Sequence, residues 1–289
     1  MGSEQMMAQK TKLFLSDVDG TLLKTRSAVP GEVIHAINKF MAAGGKFALS
    51  TGRCLKSAKR LVDEVPVNAP CILCGGALIY DFQKEKAIQA HILDDDVFEK
   101  IGRVLKEYSD VSVTITTCEE VYNIRKNDRL RTRGVEEDAN AAVVPLGDIQ
   151  KPVKVLFTND DPAVLTEIYK RWFDSHLYTF SFASRCFCEL TARGADKGSA
   201  AAYLAGLYGD CRVFTAGDAL SDVYMAKNSE QFFAPVSAPE EVRKYADRLF
   251  LPPQEGGIAE VIDFVRKLED ESSGPGDSKP VSKSGNAYV

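Results

Sequence analysis

Residues Leu13 to Leu22 read LFLSDVDGTL, an apolar run that ends by placing two aspartates, Asp17 and Asp19, one residue apart before Gly20 and Thr21. Like charges that close repel, and in a dry site at least one carboxyl stays protonated unless a cation or a reacting group compensates. Something positive is therefore expected beside them. Three further segments supply the remaining parts: Ser50-Thr51-Gly52-Arg53, then Lys197, then Gly217-Asp218 with Asp222 close behind. Carboxylates from two segments, a hydroxyl from a third and an ammonium from a fourth suit one divalent cation and one transferring phosphoryl group. Magnesium prefers carboxylate, carbonyl and water oxygens, so Asp17, Asp218 and Asp222 are its expected ligands, directly or through water. The other oxygen of Asp17 is then placed to attack phosphorus and form an aspartyl phosphate. Asp19 is left for proton transfer, first to the leaving oxygen and then from the attacking water. Thr51 can hydrogen-bond a phosphoryl oxygen, and Lys197 offsets charge on nucleophile and phosphate.

Each fragment alone has a plainer reading. Aspartates and glycines are ordinary turn residues, and a helix-start lysine is ordinarily solvated. A calcium loop beginning at Asp17 would need Gly and Glu where the chain has Leu22 and Ala28. No G-x-x-x-x-G-K-[ST] pattern is present, which disfavours a P-loop NTPase. Cys71 and Cys74 have C-x-x-C spacing but no second pair and no nearby histidine, so they read as core packing. Cys186 and Cys188 read as two small residues on one face of a strand. His35, His91 and His176 are scattered and enter no site.

The elements that must position these groups alternate. A strand over Lys12 to Ser16 precedes a helix with Val33, Ile34, Ile37, Phe40 and Met41 at helical spacing. The run KFALSTGR repeats strand-then-helix, and a short strand follows at Cys71 to Leu73. The alternation resumes near Asp196 and closes with a helix at about Ile258 to Leu268. Such a chain builds a doubly wound, Rossmann-like parallel α/β sheet, whose reactive groups collect at the carboxyl ends of the strands. Between the halves the texture is strand-rich, with helices at Asp94 to Tyr108 and Pro162 to Phe173, and reads as an inserted α+β module. The expected division is a core of residues 12–82 and 186–270, a cap of 83–185, and disordered ends at 1–11 and 271–289. Linkers at Asp81 to Lys84 and Arg185 to Glu189 would let the cap close as a lid.

With these motifs in place, the chain resembles haloacid dehalogenase superfamily phosphatases, in the branch with a large α/β cap typified by Cof-type sugar-phosphate phosphatases. The resemblance runs from Lys12 to Leu268. It implies that Asp17, Asp19, Thr51, Lys197, Asp218 and Asp222 form the active site, with magnesium as cofactor and the Asp19 backbone carbonyl completing the metal shell. Thr51, Gly52, Arg53, Gly76 and Lys197 are the positions expected to bind substrate. The chain departs from the branch in having Gly75-Gly76-Ala77 for Asn-Gly-Ala, Ser221 for Asn before Asp222, and PPQEGG for an Asn-Asp-rich loop.

The expected activity is magnesium-dependent hydrolysis of a small soluble phosphomonoester, with sugar phosphates the expected class. The alternatives are a phosphomutase of the phosphomannomutase type and a non-catalytic regulator that kept the fold. The 289 residues carry 45% apolar side chains and a net charge of −5, which argues against a nucleic-acid surface. No apolar run approaches the ~20 residues that span a bilayer, and no membrane partner is expected. The seven cysteines read as reduced thiols of a soluble, cytoplasmic protein. The cap sequence NIRKNDRLRTRG, with Arg125, Lys126, Arg129, Arg131 and Arg133, is either a solvated basic face or a patch for a second anionic group.

Overall fold

A computed structural model describes residues 10–24, 28–127, 140–173 and 176–269. Its first apolar run is β1 (Thr11–Ser16), followed by α1 (Gly31–Ala42), which buries Val33, Ala36, Ile37 and Phe40 at the spacing of one helix face. The alternation continues through β2 (Lys46–Leu49), α2 (Leu55–Val62) and β3 (Cys71–Leu73). A hairpin of β4 (Leu78–Asp81) and β5 (Lys86–Ala90) then pairs antiparallel with β3. Next come α3 (Asp96–Glu107), β6 (Ser112–Thr117), β7 (Val121–Arg125), β8 (Ala142–Val143), β9 (Pro152–Thr158), α4 (Pro162–Trp172), β10 (Tyr178–Ser184) and β11 (Phe187–Ala192). The chain finishes with α5 (Lys197–Leu207), β12 (Cys211–Ala216), α6 (Leu220–Ala226), β13 (Gln231–Pro235), α7 (Glu240–Arg243), β14 (Arg248–Phe250) and α8 (Gly257–Lys267).

Five strands form a parallel sheet in the order β14-β13-β12-β1-β2. Successive side chains of a strand point to opposite faces, and β13 shows both faces covered. Phe232 and Ala234 pack with Ala226 and Val242 of α6 and α7, while Phe233 meets Phe14 and Phe264 of α8. The doubly wound expectation is met. The chain leaves β1 in one direction toward β2 and in the other toward β12, so the crevice between β1 and β12 is the switch point where ligands gather in such sheets. Register makes this concrete: Ser16 lies opposite both Ala216 and Leu49, so three strands end level and hand over to Asp17, Ser50-Thr51 and Gly217-Asp218.

The inserted module is a six-stranded sheet, β10-β11-β9-β6-β7-β8, antiparallel except where β7 meets β8. One face carries Val113, Ile115, Val155, Phe157 and Leu190 into a core shared with Ile101, Val104, Leu165 and Ile168 of α3 and α4. The alternate positions Thr114, Thr116 and Lys154 are polar yet buried. This second face is turned toward the parallel-sheet domain, whose apolar core takes in Val121.

Several expected boundaries shift. The segment 83–90 is not cap: β5 completes the hairpin on β3, with Ile88 and Ala90 packed on the parallel-sheet core. Residues from Phe187 are not core: β11 pairs with β10 and β9, and Arg185 sits in the turn of that hairpin. The crossings fall at Ile92, between His91, bonded to Ala77, and Leu93, bonded to Pro152, and at Gly194, between Arg193, bonded to Leu177, and Ala195 in the core. Of the ends expected to be disordered, residues 1–9 and 271–289 lie outside the described residues, but Thr11 opens β1 and Lys10 pairs with Asp210. Cys186 and Cys188 do not share a packing face, since Cys186 packs beside Leu156 and Phe187 and Cys188 belongs with Leu190. Cys71 and Cys74 are fully buried, and burial pushes both thiols up to about 12, as suits core packing.

Candidate active site

At the end of β1 the Asp17 amide donates to the Ala216 carbonyl (2.9 Å), tying the first carboxylate to the neighbouring strand. The Lys197 Nζ reaches back from the first residue of α5 to Asp17 Oδ1 (2.7 Å) and Asp222 Oδ1 (2.6 Å), and all three side chains are buried. Asp196 starts that helix by accepting from the Gly198 and Ser199 amides, which fixes where Lys197 begins. The second oxygen of Asp222 accepts from the Asp218 and Ala219 amides (3.1 and 2.9 Å), so Asp222 also shapes the loop that presents Asp218. Thr21 donates its hydroxyl to Asp218 Oδ1 (3.2 Å).

Oxygens of Asp17, Asp218 and Asp222 lie within 4.8 Å of one another. Burial pushes the Asp17 carboxyl well above the usual range; the Lys197 ammonium pulls it back, and the Asp222 and Asp218 charges push it up again. Asp218 is lifted to about 6, first by burial and then by Asp222, against the opposing Thr21 bond. For Lys197 burial works downward, but the two carboxylates beside it outweigh burial and raise its pKa. Three carboxylates against one ammonium leave negative charge uncompensated, and their oxygen donors fit a hard divalent cation.

Two expected site residues are paired with each other. The Asp19 carboxylate is outside the triad of aspartates and pairs with the Arg53 guanidinium through Nε (2.8 Å) and Nη2 (2.7 Å). Arg53, expected to bind substrate, is thus engaged with Asp19, a bidentate geometry that Lys would not reproduce. Thr51 is buried and its hydroxyl accepts the Arg53 amide (3.2 Å), which leaves the hydroxyl proton as the part it can donate. Gly52 places its carbonyl against Lys154 of the cap (2.9 Å). Ser221 lies exposed on α6.

Gly76 holds a place no other residue fits. Its φ is +109°, and a Cβ there would come within 2.3 Å of the Asp196 backbone. Gly76→Ala is expected to destabilise the protein by about 1–3 kcal/mol and to slow turnover by shifting the start of α5 and with it Lys197. Urea unfolding and phosphate release measured on the same sample check both effects; an unchanged midpoint would show that the loop relaxes freely.

A family model described as haloacid dehalogenase-like hydrolase matches residues 14–262. The chain belongs to that family. Among curated relatives, the 5-amino-6-(5-phospho-D-ribitylamino)uracil phosphatase YitU of Bacillus subtilis is 22% identical over 270 residues, covering 89% of this chain and 98% of its own. A haloacid dehalogenase-like hydrolase from Bacteroides thetaiotaomicron superposes with a TM-score of 0.78 at 21% identity, over 89% of this chain and all of the other. A structure described as a subclass IIB sugar phosphatase of the superfamily gives 0.75 at 18% identity, over 88% of this chain and 98% of its own. This haloacid dehalogenase-like hydrolase thus has the capped fold that its motifs implied.

Sequence reasoning missed Thr21 as a partner of Asp218 and Lys154 as a cap residue reaching the Thr51–Arg53 turn. Thr21 carried a signal, since it stands two residues after Asp19 in the same DVDGT run. Of the basic cap cluster, Arg125 donates to the carbonyls of Leu105, Tyr108 and Val111 around the end of α3 and is part of the cap's own framework. Arg129, Arg131 and Arg133 lie outside the described residues. Among the described residues, no helix is long and apolar enough to cross a membrane.

Proposed function

We propose that the protein is a magnesium-dependent phosphomonoester hydrolase acting on small sugar or polyol phosphates through an aspartyl phosphate on Asp17. The observation that carries the reading is the convergence of Asp17, Asp218, Asp222 and Lys197 at the level ends of β1 and β12. Phosphatase names among the relatives, two of them for a ribityl phosphate, support the substrate class.

Magnesium would be held by Asp17, Asp218 and Asp222, directly or through water, with the Asp19 carbonyl completing the shell, and would neutralise charge on the phosphoryl oxygens. Asp17 supplies the attacking oxygen: its bond to phosphorus forms as the ester oxygen departs. Lys197, bonded to Asp17 Oδ1, stabilises the carboxylate before attack and the phosphoryl group after it. Asp19 gives a proton to the departing oxygen and later removes one from the water that cleaves the acyl phosphate, which restores Asp17 and releases inorganic phosphate. Thr51 donates its hydroxyl to a phosphoryl oxygen.

A panel of phosphate esters assayed for phosphate release, with and without chelator, tests the reading. Isomerised sugar phosphate in place of inorganic phosphate would make the protein a mutase, and no turnover of any ester would sink the hydrolase. Asp19→Asn is expected to slow phosphorylation by a sugar phosphate by about 10²–10⁴-fold and by p-nitrophenyl phosphate much less, because a phenolate leaves without protonation. Single-turnover rates with equal losses for both esters would remove Asp19 as the acid.

A further inference from the structure

Contacts of three kinds between the cap and the parallel-sheet domain bear on the site. Val121 and Val153 are buried in that domain's apolar core. Lys56 of α2 and Glu120 of the β6–β7 turn make an exposed ion pair at 3.1 Å. Lys154 of β9 differs from both: its Nζ donates to the Gly52 carbonyl at 2.9 Å and pairs with Glu189 of β11 at 3.3 Å, with the two side chains only 5% and 13% exposed.

Taking an ammonium out of water carries a desolvation cost, and an apolar side chain would fill the same seam without it. What the charge adds is direction, a hydrogen bond to one particular carbonyl. That carbonyl is the middle one of three. The Thr51 carbonyl accepts from the Gly75 amide (3.0 Å) and the Arg53 carbonyl from the Cys74 amide (2.9 Å), both within the parallel-sheet domain. Gly52 alone of the three turns its carbonyl to a donor supplied by the cap. The turn so held carries the Thr51 hydroxyl and the Arg53 guanidinium that grips Asp19.

We propose that Lys154, oriented by Glu189, is a positioning residue that fixes the Thr51–Arg53 turn from the cap, so that the phosphoryl-handling loop is fully formed only with the cap docked. The proposal rests on the phosphatase reading for its kinetic consequences and on geometry alone for its structural one. Because every ester needs the phosphoryl loop, losing Lys154 slows all esters alike; a residue that read the leaving group would slow only the larger ones.

The test uses the full chain with magnesium present. Lys154→Met is expected to lower kcat for p-nitrophenyl phosphate and for the best sugar phosphate by a similar factor, about 10–100-fold, with KM little changed. Lys154→Arg, which keeps a donor to Gly52 and a charge for Glu189, should recover most of the loss. The double variant K154M/E189Q removes both charges, leaves no lone buried carboxylate, and should fold yet stay slow. In all three proteins, amide hydrogen exchange at Cys74 and Gly75 reports the turn without any substrate: faster in K154M and in the double variant, near wild type in K154R. A loss confined to the sugar phosphate, wild-type turnover in the double variant, or unchanged exchange at both amides would each overturn the proposal. If the wild-type protein hydrolyses no ester, the phosphatase reading falls, and the exchange measurement still decides the role of Lys154.

Discussion

Asp17→Asn is expected to cut phosphate release by about four orders of magnitude for every ester while leaving the fold intact. The amide matches the carboxylate in size but cannot supply an attacking anionic oxygen, so no covalent phosphoryl-enzyme forms. Its uniform effect distinguishes it from Asp19→Asn, whose loss depends on how badly the leaving oxygen needs a proton. The stability side is equally specific. Burial and the Asp222 and Asp218 charges all oppose ionisation of Asp17, and Lys197 keeps Asp222 as a partner when Asp17 is neutralised. The variant should therefore unfold at the wild-type urea concentration or above it. Phosphate release and unfolding curves on one preparation check both statements; near wild-type turnover in a folded Asp17→Asn protein would take Asp17 out of the chemistry.

The parts of the site that were legible in the sequence share a physical origin. Asp17, Thr51 and Asp218 each stand one residue beyond a short, largely apolar run, and parallel register then brings the ends of those runs level, so residue type and place in the chain together locate them. What stayed hidden was partner choice. Arg53 next to Thr51 suggests a phosphate ligand by type, but its guanidinium is taken up by Asp19, 34 residues away in sequence, and no local pattern encodes that pairing. The β4–β5 hairpin escaped because β5, Lys86–Ala90, buries little and so shows no alternation, while its turn rests on Asp81 accepting the Gln83 and Lys84 amides. β11 was assigned to the wrong domain because its nearness to Lys197 in sequence suggested the core, whereas antiparallel pairing with β9 is a long-range choice. Lys154 did leave a trace: a lysine within the otherwise apolar run VKVLF is costly in a central strand unless its ammonium has a destination.

Lys197→Met is the substitution expected to damage stability and turnover together. The ammonium bridges two buried carboxylates, and removing one partner of a buried ion pair costs about 3–5 kcal/mol, because the charge left behind has no compensation. In chelator the carboxylates can recover only by taking up protons. Asp218 already holds its proton up to about 6, above the ~3.9 of an unfolded aspartate, and the Asp17 carboxyl is raised as well. Groups raised in the folded state favour folding at low pH and cease to do so as pH rises through their folded values. Without the Lys197 charge those values move further up, so the variant's deficit against wild type should be largest above neutrality and shrink as pH falls toward 5. Urea unfolding in chelator at several pH values measures that slope. Magnesium should narrow the gap at neutral pH, since a cation can take over part of the charge balance, but turnover should stay depressed by about 10²-fold or more because the ammonium's stabilisation of the phosphoryl group is gone. A Lys197→Met protein as stable as wild type at pH 8 in chelator would mean the aspartates are not held by Lys197 at all, and full activity in magnesium would remove it from the catalytic set.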